Sequence, residues 1–118
     1  MAISVYVDGA GGEKSGYGFF VRETGESFYE EKSGITNNQA EYYAIISALK
    51  KFQDSLDKIM IFSDSKNTVN QLNHEFAINN ERLRILAQEA WLLIPKIPKL
   101  KIKWIPRKEN LAGKMLGS

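Results

Sequence analysis

Three acidic residues are placed where they could hold a metal ion together. Asp8 and Asp64 each follow an apolar, strand-like segment at the point where the strand gives way to a turn. If the two strands are parallel neighbours, their carboxylates meet at the end of the sheet where open α/β sheets place ligands. Glu41 shares a helix face with Ile45 and Leu49, which must pack on the sheet, so its carboxylate is predicted to lie half-buried near both aspartates.

Converging carboxylates favour a divalent cation. Three like charges in a partly dry site repel one another and raise one another's pKa unless a positive charge lies among them. Carboxylate oxygens are hard ligands, and because the chain has no cysteine and one histidine, the metal would be Mg²⁺ or Mn²⁺ rather than Zn²⁺. Each acid alone also fits a structural position: Asp8 in a turn, Asp64 as a helix cap and Glu41 in a first helical turn. Their joint placement favours the metal site.

The elements that would position these acids begin with three strands. Strand patterns occupy residues 3–7, 16–22 and 27–32, and a glycine-containing turn at residues 23–26 joins the last two. The first strand is expected to stop before Asp8, because the glycines that follow permit a turn. The three strands are predicted to form an antiparallel meander.

A helix is predicted to begin after Thr36 and to end near Gln53. Thr36 is the expected N-cap, Gln39 completes a capping box, and Ile35 packs against the start of the helix from outside. The apolar stripe that would face the sheet comprises Ala40, Ala44, Ile45, Ala48, Leu49 and Phe52.

The second half of the chain predicts an α/β arrangement. Residues 58–63 are nearly continuously apolar, which is typical of a strand covered on both faces, and helices are expected at about 65–73 and 79–94. Residues 100–105 alternate apolar with basic and predict a half-exposed strand, and a short helix is expected in residues 110–116. The order βββαβααβ predicts an α/β fold with a five-stranded mixed sheet flanked by helices.

The composition indicates one soluble globular domain over residues 1–118, with 43% apolar and 25% charged residues. The lack of cysteine excludes disulfides and suits a cytoplasmic location, and no segment approaches the roughly 20 apolar residues of a membrane span. The net charge of +2 is too small to indicate nucleic-acid binding. Between Lys96 and Lys114, however, the chain has seven basic residues and one acid, Glu109. This local positive charge suits contacts with phosphates, or lysines that protect an edge strand from aggregation.

Four segments resemble the type 1 ribonucleases H and their fold. They are VYVDG at residues 5–9, TNNQAE at 36–41, IFSDS at 61–65, and IPR at 105–107 with Asn110. The TNNQAE block is the most specific of them, whereas an Asp-Gly pair after a strand would mean little alone. With the element order, the resemblance spans nearly the whole chain.

The resemblance implies a ribonuclease that cuts the RNA strand of RNA/DNA hybrids with two Mg²⁺ or Mn²⁺ ions. Asp8, Glu41 and Asp64 would be its catalytic residues and hold the ions, which activate the attacking water and stabilise the leaving oxygen. Gly9 would let the RNA backbone approach, and the 2′-hydroxyl would mark that strand as RNA. The other substrate-binding residues implied by the resemblance are Asn37, Asn38, Ser65, Arg107 and Asn110.

One position departs from the family's pattern. The family supplies a fourth carboxylate four residues after the asparagine, and here that position is Lys114. An ammonium group cannot ligate a cation at neutral pH, so one metal is held more weakly, Asn110 or Glu109 replaces the ligand, or activity is lost. We expect reduced or manganese-preferring activity. His74, the sole histidine, is expected to be structural or solvent-exposed rather than catalytic.

Three other interpretations stay open. The chain could be a module that binds hybrids or double-stranded RNA without cleaving them, or a resolvase or integrase core, which the block at residues 36–41 disfavours. It could also be a structural domain whose acids are caps and turns, which predicts no effect of divalent cations on thermal stability. A monomer is expected. Trp91 is predicted to lie in the core, and Trp104 is left open between a core and a base-stacking role.

Overall fold

A computed structural model describes residues 1–115, with side chains for residues 1–113. The strands are β1 (Ala2–Ala10), β2 (Gly16–Val21), β3 (Ser27–Glu31), β4 (Lys58–Ser63) and β5 (Leu100–Trp104). The helices are α1 (Asn37–Phe52), α2 (Lys66–Leu72), α3 (Glu81–Leu93) and α4 (Leu111–Met115), with 3₁₀ turns at Ile94–Lys96 and Arg107–Glu109. The strands form one sheet in the order β3-β2-β1-β4-β5. The predicted element order and mixed five-stranded sheet are confirmed.

The two central strands are parallel neighbours, which the predicted convergence of Asp8 and Asp64 requires. β1 pairs antiparallel with β2 and parallel with β4, while β3 and β5 form the edges. The prediction that β1 stops before Asp8 was wrong. Pairing with β4 ends at Tyr6 opposite Phe62, but pairing with β2 continues with Asp8 opposite Gly18 and reaches Ala10. One remaining partner strand is enough to keep this segment extended.

Helix α1 begins as the capping pattern predicts. The Thr36 hydroxyl accepts a hydrogen bond from the Gln39 amide at 3.1 Å, and the Gln39 side chain accepts one from the Thr36 amide at 2.8 Å. Ile35 is buried beside this start. The helix packs on β1 and β2 with its apolar stripe inward, and Phe52 at its end is partly buried. This docking carries Glu41 toward the sheet.

The sheet is covered more completely on one face than on the other. Ile59 and Ile61 of β4 are fully buried in the core, whereas Met60 and Phe62, which alternate with them, are only partly buried. The prediction that β4 is covered on both faces was therefore wrong. On the second face, the rings of Tyr6 and Phe62 stack with their centroids 5.2 Å apart.

Residues 100–103 of β5 follow the predicted alternation, whereas Trp104, on the same face as Ile102, is exposed. Ile102 of β5 is buried and its neighbours Lys101 and Lys103 are exposed. Trp91 packs against the core, as predicted, and exposed His74 stacks on its ring. None of the helices within residues 1–115 is long and apolar enough to cross a membrane.

Candidate metal centre

The three predicted acids come together at one end of the sheet. Asp8 lies on β1 just beyond its pairing with β4, Asp64 immediately follows β4, and Glu41 projects from α1. Each offers a carboxylate oxygen, and these oxygens lie within 4.8 Å of one another. Asp8 and Glu41 are each only 7% exposed, and Asp64 is partly buried. The structure therefore gathers the acids as the sequence predicts, and it buries Glu41 more deeply than expected.

Glu41 is held by contacts from both central strands. Its Oε1 accepts a hydrogen bond from the Gly9 amide at 3.3 Å, and its Oε2 accepts one from the Ser63 hydroxyl at 3.3 Å. It also shares a side-chain hydrogen bond with Asp8. Two carboxyl groups can share a hydrogen bond only if one of them carries a proton. Ser63 was missed in the sequence, where a small polar residue ending a buried strand is a weak signal.

The surroundings of Glu41 favour its neutral form. Burial and the negative charges of Asp8 and Asp64 together raise the pKa of Glu41 to about 9, and the Gly9 amide opposes the shift. With no cation present, this carboxyl therefore holds a proton at pH 7. A positive charge among the three carboxylates would reverse the balance and release the proton.

The Asn110 side chain supports the site through hydrogen bonds and does not present its oxygen to the acids. The side chain is fully buried, and its Nδ2 donates to Asp64 Oδ2 at 3.0 Å and to the Val7 carbonyl at 2.9 Å. Its Oδ1 accepts from the Ala112 amide at 3.0 Å. The amide oxygen that would be needed to replace the missing carboxylate therefore faces α4. Exposed Glu109 lies in the preceding 3₁₀ turn, and the side chain of Lys114 lies outside the described residues.

An open cleft of about 400 Å³ surrounds the acids. Of the predicted substrate-binding residues, those that line it are Gly9, Asn37, Asn38, Ser65 and Arg107, whereas Asn110 lies beneath. Asn37 stabilises the local structure, because its Oδ1 accepts a hydrogen bond from the Gly11 amide at 2.7 Å. Ser65 caps α2, because its hydroxyl accepts a hydrogen bond from the Thr68 amide at 3.4 Å. Asn38 and Arg107 are exposed.

Close packing between β1 and α1 requires a glycine at position 9, which the sequence did not reveal. A Cβ added there would lie 2.5 Å from the carbonyl carbon and oxygen of Ala40. The missing side chain lets α1 approach β1 closely enough for Glu41 to reach the Gly9 amide.

A mixed sheet of this order, with acids at one end of its two central parallel strands, defines the ribonuclease H-like class of fold. Residues 12–117 match the family described as reverse transcriptase-like, and the chain belongs to that family. The predicted kinship with the type 1 ribonucleases H is confirmed by this match together with the structural comparisons.

Several proteins resemble the chain over most of its length. EbsB of Enterococcus faecalis, which carries the name of a hydrolase, is 28% identical over 122 residues, covering 97% of this chain and 90% of EbsB. Ribonuclease H1 from the halophilic archaeon Halobacterium salinarum superposes with a TM-score of 0.84 at 28% identity, over 93% of this chain and 89% of that one. LC11 ribonuclease H1, solved in complex with an RNA/DNA hybrid, gives a TM-score of 0.84 at 24% identity, over 97% and 92% of the two chains.

Proposed function

We propose that this protein is a metal-dependent endoribonuclease that hydrolyses the RNA strand of RNA/DNA hybrids. The observation that carries the proposal is the convergence of Asp8, Glu41 and Asp64 within 4.8 Å at the end of a ribonuclease H-like sheet. Support comes from relatives of the same fold, one of which was solved with an RNA/DNA hybrid bound. A reducing, cytoplasmic setting and a monomeric state remain predictions of the sequence.

The donor set suits hard divalent cations, Mg²⁺ or Mn²⁺. The ligands on offer are carboxylate oxygens, and within residues 1–113 no histidine or cysteine joins the cluster. Two such ions, when bound, would supply an activated water and stabilise the leaving oxygen of a phosphodiester. Asp8, Glu41 and Asp64 would hold them.

The remaining contacts preorganise the acids. The Gly9 amide and the Ser63 hydroxyl fix the two oxygens of Glu41, and the Asn110 amide fixes one oxygen of Asp64. Ligands that are already oriented lose little conformational freedom when a cation binds. The sheet ends and α1 therefore limit the movement that the carboxylates need when a cation displaces the Glu41 proton.

The cleft around the acids offers groups suited to a hybrid. Arg107 is an exposed cation that could pair with a phosphate, and Asn38 and Ser65 are polar side chains that could meet a 2′-hydroxyl. Because phosphate contacts release counterions, hybrid affinity should fall steeply as salt concentration rises.

The test is cleavage of a labelled RNA/DNA hybrid, with RNA/RNA and DNA/DNA duplexes as controls, in Mg²⁺, Mn²⁺ and EDTA. Asp8→Asn should abolish cleavage, because it removes a ligand charge without changing shape. Asp54→Asn is the matched control, since Asp54 lies outside the cleft in a left-handed turn that asparagine also adopts. Hybrid-specific cleavage that EDTA and Asp8→Asn abolish supports the proposal. Failure to cut in either metal, with the hybrid still retained on a gel, overturns it in favour of a binding module.

A further inference from the structure

Trp104 is anchored beside the acids, yet much of its ring is open. It is the last residue of β5, in register with Ser63, whose hydroxyl binds Glu41. The indole Nε1 donates to the backbone carbonyl of Asp64 at 3.2 Å, while 45% of the residue remains exposed. One edge of the indole is therefore fixed to the candidate site, and a large part of its surface faces solvent.

A second group beside this ring points to an anionic ligand. The Lys66 ammonium lies 5.8 Å from the centroid of the Trp104 ring. Lys66 is the first residue of α2, where the helix dipole disfavours a positive charge. It makes no ion pair with any other residue in the part of the chain that the structure describes. The pair offers an aromatic face and an unneutralised cation side by side.

Trp91 shows that the anchoring bond does not require an exposed ring. Its Nε1 also donates to a backbone carbonyl, that of Leu72, at 3.1 Å. Unlike Trp104, it packs against the core and is further covered by His74. A tryptophan can thus satisfy its N–H and still pack part of its ring against the core in this fold. The open ring of Trp104 therefore offers a contact surface beside the acids, and in a duplex the sugars, rather than the internally stacked bases, are accessible to such a ring.

We infer that Trp104 and Lys66 form a nucleic-acid subsite next to the acids. The indole stacks against a sugar of the bound hybrid near the scissile phosphate, and the Lys66 ammonium pairs with a neighbouring phosphate. This inference rests on the proposed function and assigns two of its substrate contacts.

Fluorescence tests the contact directly. The chain has two tryptophans, so Trp91→Phe leaves Trp104 as the sole indole fluorophore while keeping an aromatic ring at position 91. A hybrid is titrated into this variant in EDTA at low salt, where it is not cut, and retention is measured by gel under the same conditions. Stacking should quench the Trp104 emission in parallel with retention. Retention of the hybrid with unchanged emission overturns the inference.

Steady-state cleavage kinetics distinguish a stacking role of Trp104 from a role in positioning Asp64. Trp104→Ala should raise KM by about 10-fold while kcat changes less, because the stacking face is lost. Trp104→Phe keeps a stacking ring but loses the N–H, so its KM should stay within about threefold of wild type. Lys66→Gln should raise KM and make it less sensitive to salt. If both Trp104 variants lower kcat at unchanged KM, the indole only positions Asp64 and the subsite is wrong.

The proposed subsite and the proposed function are overturned by different results. Wild-type cleavage of the hybrid with unchanged KM in Trp104→Ala would remove the subsite and leave the proposed function standing. Absence of both cleavage and retention in the wild type would remove both.

Discussion

Asn110 donates from its Nδ2 to Asp64 Oδ2 at 3.0 Å, across a sequence separation of 46 residues. The same nitrogen donates to the Val7 carbonyl, and its Oδ1 accepts from the Ala112 amide. These three partners fix the orientation of the amide, because the reverse orientation would place its oxygen against a carbonyl and a carboxylate. One buried side chain thus ties together β1, the end of β4 and α4.

Replacing this amide should disturb both the fold and the site. Asn110→Ala leaves the Val7 carbonyl and the Ala112 amide without their partner, so the free energy of unfolding should fall by about 1–3 kcal/mol. Asp64 loses its orienting donor, so hybrid cleavage should fall by about 10-fold or more. Chemical denaturation and cleavage assays on the same preparations measure the two effects.

Asn73→Ala provides the matched control for that variant. The Asn73 Nδ2 also donates to a backbone carbonyl, that of Ile102, at 3.0 Å, but no carboxylate is involved and Asn73 is exposed. Its cleavage rate should match wild type when measured on folded protein. Equal losses of activity in the two variants would argue against a positioning role for Asn110.

A carboxylate at position 114 should raise activity where metal is scarce. The Asn110 oxygen is engaged by Ala112, so Asn110 does not offer a ready substitute for the family's fourth acid. Lys114→Asp should therefore increase cleavage at low Mg²⁺ concentration and bring the Mg²⁺ and Mn²⁺ rates closer together. Lys108→Asp makes the same change of charge in the exposed 3₁₀ turn and should not increase cleavage. An unchanged metal dependence in Lys114→Asp would place this position outside the ligand set.

Gly9→Ala should loosen the junction between β1 and α1. The new Cβ would lie 2.5 Å from Ala40 backbone atoms, so α1 must shift, at a cost of about 1–3 kcal/mol. The shift should weaken the hydrogen bond from the Gly9 amide to Glu41 and lower the cleavage rate. Gly12→Ala is the comparison: it meets no atom within 4 Å but has a φ of +101°, so it should cost stability through the backbone alone. Normal cleavage by folded Gly9→Ala would contradict this prediction.

The parts of the fold that were predictable depend on local patterns. The capping box at Thr36 and Gln39 involves residues three apart, so the sequence contains all the information for the start of α1. Helical periodicity is also a local pattern, and it places Glu41 on the buried face of α1. With parallel pairing of β1 and β4, these features suffice to bring the acids together.

The parts that were missed depend on distant partners. β1 continues past Asp8 because it stays paired with β2 as far as Ala10 opposite Gly16, and the glycines that follow Asp8 do not reveal this pairing. The hydrogen bond between Ser63 and Glu41 spans 22 residues, and periodicity carries no information about such pairings. Helical periodicity did place Trp91 against the core, but it could not say that Trp104 would be open.

The protonation of Glu41 should make stability depend on pH when no cation is bound. Its pKa is raised from 4.5 to about 9, first by burial and then by the charges of Asp8 and Asp64, so the folded protein holds a proton that the unfolded chain releases above pH 4.5. Below that pH, both the folded protein and the unfolded chain carry this proton, so its contribution to the free energy of unfolding is fully present. The free energy of unfolding should therefore fall as pH rises from about 5 toward 9, with a slope of up to about 1.4 kcal/mol per pH unit.

Glu41→Gln isolates this effect because glutamine is uncharged at every pH and can still accept from the Gly9 amide. In EDTA, the wild type should lose stability relative to Glu41→Gln between pH 5 and 9, whereas Glu75→Gln, the same change on an exposed side chain, should parallel the wild type. Mn²⁺ competes with the proton, so its stabilisation of the wild type should grow as pH rises. Thermal denaturation across this range measures the stability of the wild type and of both variants. Parallel curves for wild type and Glu41→Gln would mean that Glu41 is already ionised in the metal-free protein, and that the acids are less tightly coupled than their burial implies.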